Sequence, residues 1–164
     1  MTLSQAFRDQ SQTCTRMGSP FMGQLLGILA KHWPETSALG QKFAAFEGKI
    51  GPAGHSLPLR IAGGLHALVL SNAAPDLKLL YPPATPSDVD LQREVLKALR
   101  THEAFLLDWT SSAPQTNEVR RSAALIAGAH VALQHFDLPI HLSELGASGG
   151  LNLMWDHYAL DVGG

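Results

Sequence analysis

Cysteine occurs once in the 164 residues, at Cys14, so no disulfide can form within the chain. Charge is sparse: charged residues make up 16%, with 12 basic against 14 acidic side chains and a net charge of -2. There is no basic excess to grip a phosphate backbone, which argues against nucleic-acid binding by bulk electrostatics. No run approaches the ~18 apolar residues that a membrane-spanning helix needs. The first ten residues contain no apolar core of a signal peptide, so a cytoplasmic location is expected. Metal-binding patterns are missing too: there is no H-E-x-x-H and no Cys/His cluster at zinc spacing among the eight histidines. His130 and His135, five apart, fall on different faces of a helix. Nor is there an internal repeat at a solenoid period. Against these absences stand 45% hydrophobic residues, enough at this length for one real core.

Those apolar residues recur mostly at helical spacing. A first helix is predicted from Thr2 to Met17, with Leu3, Phe7 and Cys14 on one side and Gly18 as its stop. Ser19-Pro20 then supplies an N-cap and a first helical position. Phe21, Leu25, Ile28 and Leu29 form the next stripe, which Pro34 ends. Leu39, Phe43 and Phe46 suggest a third helix, followed by a glycine-rich loop from Gly48 to Ser56. Ile61, Ala62, Leu65, Leu68 and Val69 define a fourth, Pro58 to Ser71. An irregular proline-rich connection spans Pro75 to Pro86. Ser87 caps one long fifth helix to Trp109, with Leu91, Val95, Leu99, His102 and Leu106 in phase. Thr116 or Asn117 caps an alanine-rich sixth, ending near Phe136.

The pattern then changes. Leu138, Ile140 and Leu142 alternate, which predicts a β-strand from Pro139 to Leu145 with the proline at its start. A small-residue turn, Gly146 to Gly150, and a new helix from Leu151 follow. The expected fold is therefore mainly α: a helical domain, 1–137, then one strand-turn-helix unit, 138–164, of an incomplete Rossmann-like α/β sheet. A lone strand cannot satisfy its own backbone groups. Two expectations come from this: the chain is the N-terminal part of a longer protein, or the strand pairs with a second copy in a homodimer.

Strand, glycine turn and helix together bring a backbone close to a cofactor. The spacing Glu144-x-Gly146-x-Ser148-x-Gly150 is close to the acidic-x-Gly-x-Gly-x-Gly turn of S-adenosylmethionine-dependent methyltransferases, with Ser148 in place of the middle glycine. Small residues, Gly149 included, admit the methionine and ribose, and Glu144 faces the ligand's cationic amine. A second reading makes Ser148 the nucleophile of a serine hydrolase, because Gly146 to Gly150 also fits G-x-S-x-G. A third is a tight turn without a ligand. The turn alone leaves all three open.

Four stretches in the same order resemble a bacterial family, the domain of unknown function 2332. They are Gly18-Ser19-Pro20-Phe21; Leu57-Pro58-Leu59-Arg60 with Leu65-His66; Gln115 to Val119 with Arg121-Ser122; and Glu144 to Ser148 followed by Gly150 to Leu153, Trp155-Asp156 and Tyr158. The resemblance implies a methyltransferase-like domain after a helical one, in a protein about twice this length. The helical part would then act as a lid or substrate-selecting cap. Asn117, Glu118 and Arg121 would line a substrate pocket, Arg121 holding an anionic group; equally, they only cap a helix. Asn152 and Asp156 complete the pocket set. With the ribose-binding acid expected on a later strand, this chain should bind S-adenosylmethionine weakly or not at all. A non-catalytic helical interaction module is the alternative from another class.

Overall fold

The computed structural model describes residues 1–51, 54–114 and 118–161. They form two compact units, 1–114 and 115–164. In the first, α1 (Leu3–Arg16), α2 (Pro20–His32), α3 (Ala38–Ala44), α4 (Leu57–Leu70), α5 (Pro75–Lys78), α6 (Asp88–Thr101) and α7 (Glu103–Trp109) surround one core. Phe7, Leu25, Leu29, Ile61, Leu65, Leu91, Val95 and Leu106 are fully buried there. Each such side chain stabilises the fold by roughly 1.5–3 kcal/mol relative to exposure. An aromatic chain extends this core, with Trp33 5.2 Å from Phe7 and 5.1 Å from Phe43 between ring centroids.

The sequence signals for α1 and α2 act as their chemistry predicts. Gly18 takes φ +83°, a left-handed position that ends α1 without a side-chain penalty. Pro20 stands at the start of α2, although the Ser19 side chain makes no capping bond. The two helices pack closely because Gly23 presents no Cβ, which would lie 2.0 Å from Thr15 Oγ1. Ser11 Oγ donates to the Gly23 carbonyl at 2.6 Å, and Ser4 Oγ to that of Ala30 at 2.7 Å.

The single long helix expected from Ser87 to Trp109 is two helices. Ser87 does cap it, accepting the Asp90 N–H at 3.1 Å. His102 leaves helical geometry, with φ -114° and ψ 27°, and separates α6 from α7. The break lets the Glu103 carboxylate accept the Leu39 N–H at 3.0 Å, which ties α7 to the first turn of α3. Two cations close the far end of α7. Buried Arg60, 5% exposed, donates from Nε to the His55 carbonyl and from Nη1 to that of Thr110, both at 3.0 Å. Lys42 Nζ donates to the Leu107 carbonyl and to Ser111 Oγ. Cations at the negative end of a helix satisfy carbonyls that the helix leaves unpaired. Burial, and then the neighbouring Arg60 charge, lowers the Lys42 pKa, against a smaller opposing effect of Asp108.

In the second unit, a short 3-10 helix (Val119–Arg121) leads into α8 (Ser122–His135), and a second 3-10 helix spans Leu151–His157. Glu118 caps the entry: its side chain accepts the Arg120 N–H at 3.1 Å. Gln115, Thr116 and Asn117 lie outside the described residues, as do Pro52, Ala53 and the terminal Val162 to Gly164.

The strand-turn-helix unit of a Rossmann-like sheet is not formed. No strand occurs among the described residues, and the segment from Pro139 to Leu145 is irregular. Alternation places apolar side chains at period two, but a strand exists only where a second one accepts its backbone bonds. Among the described residues nothing supplies that ladder, so Leu138, Ile140, Leu142 and Leu145 are all exposed. The strand expected to pair two copies is thus not formed among the described residues. After the turn the chain takes 3-10 rather than α geometry.

Candidate functional site

The second unit holds a buried polar chain. Asn152, 3% exposed on the second 3-10 helix, donates from Nδ2 to Glu144 Oε1 at 3.3 Å. Its Oδ1 accepts from Ser122 Oγ, at the start of α8, at 3.2 Å. Both Ser122 and Asn152 are buried, so the bond between them forms away from competing water. Glu144 is held by one oxygen only. Its other oxygen, Oε2, is enclosed and has no hydrogen-bond partner among the described residues. A carboxylate oxygen in that state is costly unless a donor reaches it, and a cationic donor answers it best.

Next to this carboxylate the backbone turns through three left-handed positions: Gly146 at φ +70°, Ser148 at +54° and Gly150 at +71°. A Cβ at Gly146 or Gly150 would meet nothing within 4 Å, so the turn is open on those sides. Gly150 N–H donates to the Ala147 carbonyl at 2.8 Å and closes the turn. A non-glycine residue at φ +54° is uncommon and marks Ser148 as a position the surrounding turn dictates.

The residues expected to form the site are thus partly gathered. Glu144 and Asn152 meet directly, beside Gly146, Ser148, Gly149 and Gly150 in one turn. Glu118 is spent on capping. Arg121 is exposed, and its N–H donates to the Glu118 carbonyl at 3.1 Å. Asp156 is exposed too, with Oδ2 3.9 Å from His157 Nε2. Asn117 lies outside the described residues. Ser122 was not singled out by spacing, because its part depends on residues 22 and 30 positions further along the chain. Its only sequence signal is a hydroxyl at a helix start, which usually means a cap.

Elsewhere the chemistry is mostly internal. A 180 Å³ pocket in the first unit has the Lys97–Asp76 pair at its edge, 2.7 Å apart. His66 is exposed and stacks on Tyr81, centroids 5.6 Å apart, beside the cis Pro82–Pro83 bond. Burial raises the Tyr81 pKa above the ordinary phenol value. Among the described residues, no three His, Cys, Asp or Glu side chains are grouped to hold a metal ion. Among the same residues, no helix is long and apolar enough to cross a membrane.

A helical first unit and a polar chain beside a glycine turn in the second define the molecule. The chain belongs to the bacterial family described as an uncharacterized protein conserved in bacteria (DUF2332), whose family model matches residues 4–164. No curated protein and no solved structure matches it.

Proposed function

We propose that the second unit binds a small molecule carrying an ammonium group, which Glu144 accepts, and that S-adenosylmethionine is that ligand. The enclosed, unpartnered Oε2 of Glu144 carries this reading. An amine there would complete the carboxylate, while Asn152 keeps the other oxygen in place. The open left-handed turn from Gly146 to Gly150 supplies close backbone approach for the methionine end. The nucleoside end meets no sheet crevice among the described residues, so the reading rests on the amine and predicts weak binding. When bound, the cofactor supplies an activated methyl group. Glu144 and the turn orient the molecule by its other end, a positioning role.

The test compares the 164-residue chain with its Glu144→Gln variant by isotope-edited NMR titration. Glutamine keeps an oxygen for Asn152 but removes the charge and places a donor where an acceptor is needed. S-adenosylmethionine affinity is expected to fall about tenfold, the loss of one charge-assisted bond worth ~1.4 kcal/mol. Methylthioadenosine, which has the nucleoside but no amine, is expected to bind the wild-type chain as poorly as the variant binds S-adenosylmethionine. Equal affinity of the two ligands for the wild-type chain would sink the proposal.

A further inference from the structure

A cleft of 550 Å³ lies wholly within the second unit, between the entry of α8 and the segment that follows the second 3-10 helix. That volume is within the range of small-ligand sites, about 300–1,000 Å³. Its wall is apolar, from Val119, buried Ile126 and Leu160.

The polar groups around it are nearly all committed. Ser122 Oγ donates to Asn152, and the Tyr158 hydroxyl donates to the Leu151 carbonyl at 2.7 Å. His157 has Asp156 beside it, with Nε2 3.9 Å from Oδ2. Glu118 turns its carboxylate to the Arg120 backbone N–H, not to the Arg120 guanidinium. No ion pair with a described residue engages the guanidinium of Arg120, a residue that lines the cleft. An apolar wall with one unanswered cation selects an apolar body with a single negative charge. A dianion would bring a second charge into an apolar cleft without a partner.

We infer that this cleft binds an organic monoanion, an apolar chain or ring bearing one carboxylate, through Arg120. The site goes beyond the Glu144 reading and does not depend on it. The two are joined structurally, because Ser122 lines the cleft and its bond to Asn152 leads to Glu144.

Octanoate and octanamide are suitable probes, since they share an apolar body and differ in charge. In NMR titrations of the 164-residue chain, octanoate should shift the Arg120 Nε–H signal and the amides of 119–126 and 157–160. Octanamide should bind roughly fivefold or more weakly, and Arg120→Gln should reduce octanoate binding to the octanamide level. Arg120→Lys should restore part of it. Arg120 is exposed, and an unchanged thermal midpoint in Arg120→Gln verifies that the fold is retained. The inference is overturned if octanamide binds as tightly as octanoate, if Arg120→Gln binds octanoate like the wild type, or if neither probe shifts these signals. S-adenosylmethionine titrated alongside separates the two sites: a response to it without one to octanoate removes only the cleft, and the reverse removes only the Glu144 reading.

Discussion

Replacing Arg60 by methionine is expected to lower the thermal midpoint of the first unit by on the order of 15 °C, from a loss of about 3 kcal/mol. Methionine has a similar length and fills much of the same space, so the cost is mainly polar. Arg60 is 5% exposed and has no carboxylate partner among the described residues. Its hydrogen bonds run to main-chain carbonyls of His55, Thr110 and, at 3.4 Å, Ser111. Removing the donor leaves carbonyls at the end of α7 buried without partners, and each such group costs about 1–3 kcal/mol. The guanidinium also lies over the Phe46 ring, 5.5 Å from its centroid, which the variant gives up. Lys42 should respond in the opposite sense. Burial still lowers its pKa, but the repulsion from Arg60 is gone, so its pKa moves up towards the ordinary lysine value. Differential scanning calorimetry reads the midpoint, and a midpoint within experimental error of wild type would mean that solvent reaches those carbonyls.

Gly40→Ala should also destabilise, although glycine to alanine inside a helix ordinarily gains about 1 kcal/mol. Gly40 is in the first turn of α3, where its N–H donates to Ser37 Oγ at 3.0 Å. The chain before Ser37 folds back over this turn. A Cβ at Gly40 would lie 2.2 Å from the Pro34 carbonyl oxygen and 2.6 Å from that of Glu35. Both obstacles are backbone, so no side-chain rotation relieves them. Either α3 moves out of the core, where Leu39 and Phe43 are buried, or the 34–37 turn opens. We expect a net loss of about 2–3 kcal/mol. Gly128 in α8 is the internal control: a Cβ there meets nothing within 4 Å, and alanine should stabilise that helix by roughly 1 kcal/mol. Urea unfolding of both variants checks the contrast. The same sign at both positions would show that helix propensity, not the close approach to Pro34, governs Gly40.

The contrast between those two glycines also shows what sequence could convey. Both stand in helical surroundings, and only the tertiary fold distinguishes them. Helices α1, α2 and α4 were legible because local chemistry fixes them: Gly18 and Pro20 at the boundaries, and apolar residues every three or four positions between. The division at His102 was not, because Leu99 and Leu106 remain in helical phase on either side of it while the backbone departs. Periodicity records which side chains face the core and not whether the helix between them is continuous. The strand from Pro139 failed for a related reason. Alternation is a one-dimensional signal, and a strand is a property of two segments. Of the candidate site, Glu144 was legible because an acidic residue before a glycine turn has few uses, and Asn152 only through the family resemblance. Ser122, Arg60 and the cleft at Arg120 acquire their surroundings only when distant segments meet.

The serine bonds between α1 and α2 carry one more consequence. Ser4 and Ser11 are seven residues apart, as are their acceptors Gly23 and Ala30. Seven residues of helix advance about 10.5 Å, so in an antiparallel pair both bonds close at the same axial offset. Small-residue faces slide easily, since one methyl or hydrogen resembles the next. Here a slip of one turn breaks both bonds together and moves neither serine onto its old acceptor. The two hydroxyls work as a vernier: they select a single alignment from several that the apolar stripes alone would tolerate.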